Sequence, residues 1–89
     1  MYDYAFLEDQ LNAIILSLDE RLSRDKIKDV NEFIKVGEYG LAYETLCSIV
    51  VESERSIPPD IHLQLVRLGQ KMEMTEDVWL KLKPHVEQE

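Results

Sequence analysis

The sequence predicts an all-α fold, a single compact bundle of four to five helices. Three observations predict it. Apolar residues recur at spacings of three and four along nearly the whole chain, the period of one helix face. No stretch alternates apolar and polar residues as a half-buried strand would. Gly37 and the Pro58–Pro59 pair fall between the periodic stretches, where helices end and begin. One helical domain is expected over residues 1–89, with a frayed tail from about residue 84.

The first helix is expected over residues 3–22. Leu7, Leu11, Ile14, Leu18 and Leu22 step by 4, 3, 4 and 4 and form one stripe. Asp3 is the candidate N-cap, and Glu8 and Asp9 sit near the positive end of the helix dipole. Ser23 then caps a second helix over 24–36, which buries Ile27, Val30, Phe33 and Ile34. Gly37 follows its last periodic residue. That is the position where a left-handed residue ends a helix, and glycine adopts it without strain. A third helix is expected over 38–53, burying Tyr39, Ala42, Tyr43, Leu46, Ile49 and Val50. Gly40 lies in its first turn, where a missing side chain suits a close approach of the second and third helices. The fourth helix opens at the proline pair and carries Ile61, Leu65, Leu68 and Met72. Gly69 within it is either a close-packing site or a weakening of the helix end. A last short helix starts after Thr75 as N-cap, packs Val78, Trp79 and Leu82 on the bundle, and ends at Pro84.

Eighteen acidic residues against ten basic ones give a net charge of −8. Such a surface repels nucleic acid and anionic membranes, so neither is expected as a partner. It attracts a basic partner. Small domains also carry a net charge of magnitude ~2–8 for solubility alone, and both readings stand. No apolar run approaches the ~18 residues of a membrane span. The segment MYDYAFLEDQ lacks the basic stretch and apolar core of a signal peptide. The single cysteine, Cys47, allows no internal disulfide and fits a reducing, cytoplasmic compartment.

No catalytic, metal-binding or cofactor-binding residue emerges. GEYG has the wrong spacing for a phosphate loop, and HExxH, CxxC and EF-hand patterns are missing. His62 and His85 are 23 residues apart on different elements, and His62 is expected to be exposed. Cys47 reads as a small, half-buried apolar residue with no base beside it. Asp19 and Glu20 are adjacent and diverge on a helix, which does not suit acid–base work. The chain therefore reads as a protein that is not an enzyme.

Two features suit recognition of another protein. Asp19 and Glu20 close the first helix, and Glu38, Glu44, Glu52 and Glu54 stud the third. Glu44, Ser48 and Glu52 are spaced by four and share a face, which is either simply solvated or an anionic docking surface. Tyr39 and Tyr43, also four apart, suit either packing or an interface, because each ring is apolar with a wet hydroxyl.

The segment VNEFIKVGEYGLAYETLCSIVVES, residues 30–53, resembles part of the small all-helical immunity proteins of bacterial polymorphic-toxin systems, the Maf-type and contact-dependent growth inhibition immunity families. The family's aromatic–aliphatic pair, hairpin and following Leu and acidic residue match Phe33, Ile34, Gly37, Glu38, Tyr39, Gly40, Leu41, Ala42, Glu44 and Leu46. LVRLGQKMEM, residues 65–74, resembles its fourth helix. The resemblance implies a cytosolic protein that binds a cognate toxin C-terminal domain in a 1:1 heterodimer and covers its active site or RNA-binding surface. Such toxins are often nucleases, EndoU-type or other RNases, with basic clefts whose phosphate ligands an acidic surface imitates. Toxin-facing residues vary among relatives, so none transfers by position. Charge and aromatic placement nominate Asp19, Glu20, Glu38, Tyr39, Tyr43, Glu44, Glu52 and Glu54. The alternative is a helical adaptor or regulatory module unrelated to toxins, such as a small dimer.

Overall fold

The computed structural model describes residues 3–87. Five α-helices follow in order: α1 (Tyr4–Ser17), α2 (Arg24–Lys35), α3 (Tyr39–Glu52), α4 (Pro59–Lys71) and α5 (Asp77–Leu80). Single 3-10 turns, Asp19–Arg21 and Lys83–His85, follow α1 and α5. Among the described residues there is no strand, and no helix is long and apolar enough to cross a membrane. The expected all-α bundle is what forms. Its radius of gyration, 12.0 Å, is that of a close-packed chain of this length, roughly 12 Å.

α2 and α3 make an antiparallel hairpin, α1 lies on α4, and α3 also touches α1 and α5. The stripes read from the sequence meet in one core. Leu11, Ile14 and Leu18 come from the first stripe, Val30 from α2, Leu46 and Val50 from α3, Leu65 from α4, and Leu82 from beyond α5. No polar or charged residue among those described is buried. The net charge is therefore carried on the surface.

Several boundaries differ from expectation. α1 stops at Ser17, five residues early, because Leu18 caps it and the chain tightens into the Asp19–Arg21 turn. That turn still points Leu18 and Leu22 inward, which is why the stripe looked continuous. Asp3 caps α1 as expected, its carboxylate accepting from the Phe6 amide at 3.1 Å. Ser23 holds the N-cap position of α2 without a side-chain bond. Thr75 does not cap α5; Glu76 stands at that position, and the Thr75 carbonyl accepts from Val78. His62 is half-buried, not exposed, and Cys47 is fully buried, not half-buried.

The tail expected to fray from residue 84 is tied down as far as residue 87. Ile57 donates to the His85 carbonyl at 2.8 Å, and Glu87 donates to the Ile57 carbonyl at 2.8 Å. These bonds form an isolated parallel bridge between Ile57 and Val86. Arg21 clamps the same place, donating to the Ser56 carbonyl at 2.6 Å and pairing with Glu87 at 2.8 Å. The remainder of that tail, residues 88 and 89, lies outside the described residues.

The three glycines differ in what the structure asks of them. Gly37 has φ +80° and ends α2. Glu38 donates to the Phe33 carbonyl at 2.8 Å and Gly37 to that of Ile34 at 3.0 Å, the paired bonds of a Schellman stop. A Cβ here would meet nothing within 4 Å, so the requirement is purely conformational. Gly37→Val is expected to cost more than 1 kcal/mol, because left-handed backbone penalises a Cβ by roughly 1–2 kcal/mol and β-branching adds to it. Gly37→Asn should cost much less. Urea denaturation of both variants checks this; equal midpoints for Val and wild type would contradict the left-handed stop.

Gly40 is not the helix–helix contact expected of it. A Cβ there would sit in ordinary contact, 4.0 Å, with Met74 Sδ alone. Gly69 is the close-packing glycine. A Cβ there would fall 2.5 Å from the Tyr43 hydroxyl and overlap the Trp79 ring at Cε3. α4 closes with the same paired bonds as α2, from Glu73 to Gln70 and from Met74 to Gly69, but with Glu73 in the left-handed position at φ 57°.

Candidate functional site

α3 orders the nominated residues by position. Thirteen residue steps separate Tyr39 from Glu52, about 20 Å at 1.5 Å per residue. Glu38 and Tyr39 lie at the hairpin end. Glu52 and Glu54 lie at the far end, and Arg21, through Ser56, draws the turn bearing Asp19 and Glu20 to that same end. Glu44 stands between the two groups. All six carboxylates are exposed and Tyr39 is half-buried.

Tyr43 does not belong with them. It is 0 % exposed in the centre of the core, and its hydroxyl donates to the Leu65 carbonyl at 2.6 Å. Burial pushes its ionisation far above the ordinary tyrosine value. It is a packing residue that presents no surface, against the contact role its spacing suggested. Its ring lies on the apolar stripe of α3 because the bare backbone at Gly69 leaves room for it.

The face holding Glu44, Ser48 and Glu52 is less purely anionic than its spacing suggests. Lys26 of α2 pairs with Glu52 at 3.2 Å. Lys81 donates to the Ser48 hydroxyl at 3.0 Å. Each contact is on the surface, where an ion pair contributes about 0–1 kcal/mol.

At the hairpin end the structure places something the sequence did not group. Tyr4 at the start of α1 stacks on Tyr39 at the start of α3, with ring centroids 5.6 Å apart and planes 20° from parallel. Met72 and Met74, closing α4, face them. Together with Glu38 and Gly40 they line a shallow depression of about 210 Å³. Tyr4 is 58 % exposed, so the ring pair forms part of the outer surface. One signal was available: Tyr4 precedes Leu7 by three and extends the first stripe one turn past the core. The approach of Met74 was not legible, because it follows the left-handed residue Glu73, whose type does not announce that conformation.

Nucleophilic chemistry has little to work with. Cys47 is buried and its thiol is pushed up to about 12, chiefly by desolvation. Among the described residues no three His, Cys, Asp or Glu side chains are grouped to hold a metal ion. Comparison with protein-family models, curated proteins and solved structures finds no match for the chain.

Proposed function

We propose that this chain is an immunity-type inhibitor that binds a cognate toxin domain, a nuclease with a basic surface, and neutralises it by covering that surface. The observation that supports the reading is the placement of charge. The core among the described residues holds no charged side chain, while Asp19, Glu20, Glu38, Glu44, Glu52 and Glu54 are all exposed on a chain of net charge −8. Opposite potentials raise association rates above the ~10⁵–10⁶ M⁻¹s⁻¹ of neutral partners. A standard interface covers about 800 Å² per partner, a modest share of the 5805 Å² available.

Co-expression with the cognate toxin domain tests the reading. The purified pair should be 1:1, and its association rate should fall as salt rises, since the Debye length shrinks from ~10 Å at 0.1 M to ~3 Å at 1 M. Glu44→Lys with Glu52→Lys should slow association and weaken protection. The second change also removes the partner of Lys26, but an exposed pair is worth at most ~1 kcal/mol, so helix dichroism should be unchanged. Association that ignores salt, together with full protection by the double variant, would reduce the acidic surface to a solubility device. A folded chain that binds no toxin would instead favour the adaptor reading.

A further inference from the structure

We propose that the groove between α1 and α4 binds a glutamate side chain of a partner protein, whether or not the acidic surface elsewhere inhibits a toxin. α1 contributes Phe6 and Gln10 to this groove, and α4 contributes Gln64, Arg67, Leu68 and Lys71. Leu68 is buried, and Phe6 is 38 % exposed beside it. Lys71 lies over the Phe6 ring, 4.6 Å from its centroid, so its ammonium is held at the groove. Arg67 stands exposed one turn earlier on the same helix. Among the described residues its side chain has no ion-pair partner.

Charge here runs against the rest of the chain. The protein has 18 acidic and 10 basic residues, yet no carboxylate lies between Asp60 and Glu73 in sequence, and none lines the groove. Arg67 and Lys71 are four apart on α4, where like charges repel. Neither has an acidic residue three or four positions away on the helix to offset that repulsion. Lys71 has a local reason for its place, since it closes α4 and rests on an aromatic ring. Arg67 has none. An anion held between the two cations removes the repulsion. Nucleic acid is repelled by the net charge of −8. A phosphate would press oxygens against Leu68 and Phe6 without hydrogen bonds. A carboxylate has only two oxygens, which the guanidinium fork of Arg67 can take together, and its methylenes can lie on the apolar wall. The groove volume is about 190 Å³. Small-molecule pockets run to ~300–1,000 Å³, so the size favours one side chain anchored in a protein segment over a free ligand.

The probe is the capped tripeptide acetyl-Ala-Glu-Ala-amide, titrated into the full-length protein and followed by amide and methyl NMR. Its glutamine and arginine analogues and inorganic phosphate are titrated alongside. Shifts should be confined to residues 6–10 and 64–71. The glutamate peptide should bind about fivefold more tightly than the glutamine one, the scale of one partly exposed ion pair. Arg67→Gln should abolish that preference, while its urea midpoint holds or rises because the repulsion from Lys71 is gone. Arg67→Glu should favour the arginine peptide instead. Arg55→Gln removes an exposed cation outside the groove and should change nothing. Equal binding of the glutamine peptide, tighter binding of phosphate than of the glutamate peptide, the same loss in Arg55→Gln, or no shift at all would each overturn the inference. A lower urea midpoint for Arg67→Gln would also overturn it, by making Arg67 a structural residue.

Discussion

Gly69→Ala is expected to destabilise the protein by about 2 kcal/mol, although alanine is the better helix former. The added Cβ gains roughly 1 kcal/mol of helix propensity. Against that stands an overpacking cost near the upper end of ~1–3 kcal/mol, because the methyl would overlap the Trp79 ring and lie 2.5 Å from the Tyr43 hydroxyl. For a domain of this size the loss corresponds to a fall in Tm of about 10 °C. Trp79 is the sole tryptophan and is half-buried, so its emission reports whether the ring is driven out. Gly40→Ala is the control. Its Cβ meets only Met74 at 4.0 Å, and its stability should hold or rise. Adding Tyr43→Phe to Gly69→Ala removes the hydroxyl from the clash, so the two changes should couple by ~0.5 kcal/mol or more. Strict additivity, or a Gly69→Ala protein as stable as wild type, would show that α4 does not pack this closely on α3 and α5.

Tyr43→Ala is the larger loss, about 4 kcal/mol. Emptying a fully buried aromatic site costs ~3–5 kcal/mol in transfer and cavity terms, and this ring is 0 % exposed. Tyr43→Phe should cost only about 1 kcal/mol, the net value of an ordinary hydrogen bond. The Leu65 carbonyl that accepts the hydroxyl keeps its own helical donor, the amide four residues on, so no acceptor is orphaned. Urea denaturation of both variants checks the pair. The result bears on function as well. Tyr43→Phe should bind the partner as wild type does, whereas a folded Tyr43→Ala chain that had lost only binding would return this residue to the interface.

The helices were legible because burial imposes a period on the sequence. Ile61, Leu65, Leu68 and Met72 are all buried on one side of α4, as their spacing requires. Gly37 was legible for a local reason, since left-handed backbone after a periodic run selects glycine. What escaped depends on residues distant in the chain. Spacing cannot say which aromatic lies over Gly69, and the answer involves Tyr43, 26 positions earlier, and Trp79, ten later. Tyr39 and Tyr43 share one helix face, and only the placement of α1 and α4 makes one a surface ring and the other a core ring. The bridge between Ile57 and Val86 carries no periodic signal, because each strand-like piece is a single residue long. The nominated carboxylates are exposed as expected, but their division between two ends of α3 and the pairing of Glu52 with Lys26 come from the hairpin geometry.

The seclusion of Cys47 makes the chain its own reporter of breathing. It is the sole thiol and is 0 % exposed. Desolvation also raises its ionisation well above the ordinary cysteine value, so the closed state offers little of the reactive thiolate. A disulfide reagent therefore gains access only through excursions that part α3 from its neighbours. The labelling rate counts those openings in unmodified protein, without denaturant. Because Cys47 adjoins Leu46 at the centre of the bundle, any partner that grips α3 from either end must slow that reaction. Occupancy of α3 could then be timed by chemistry in the interior.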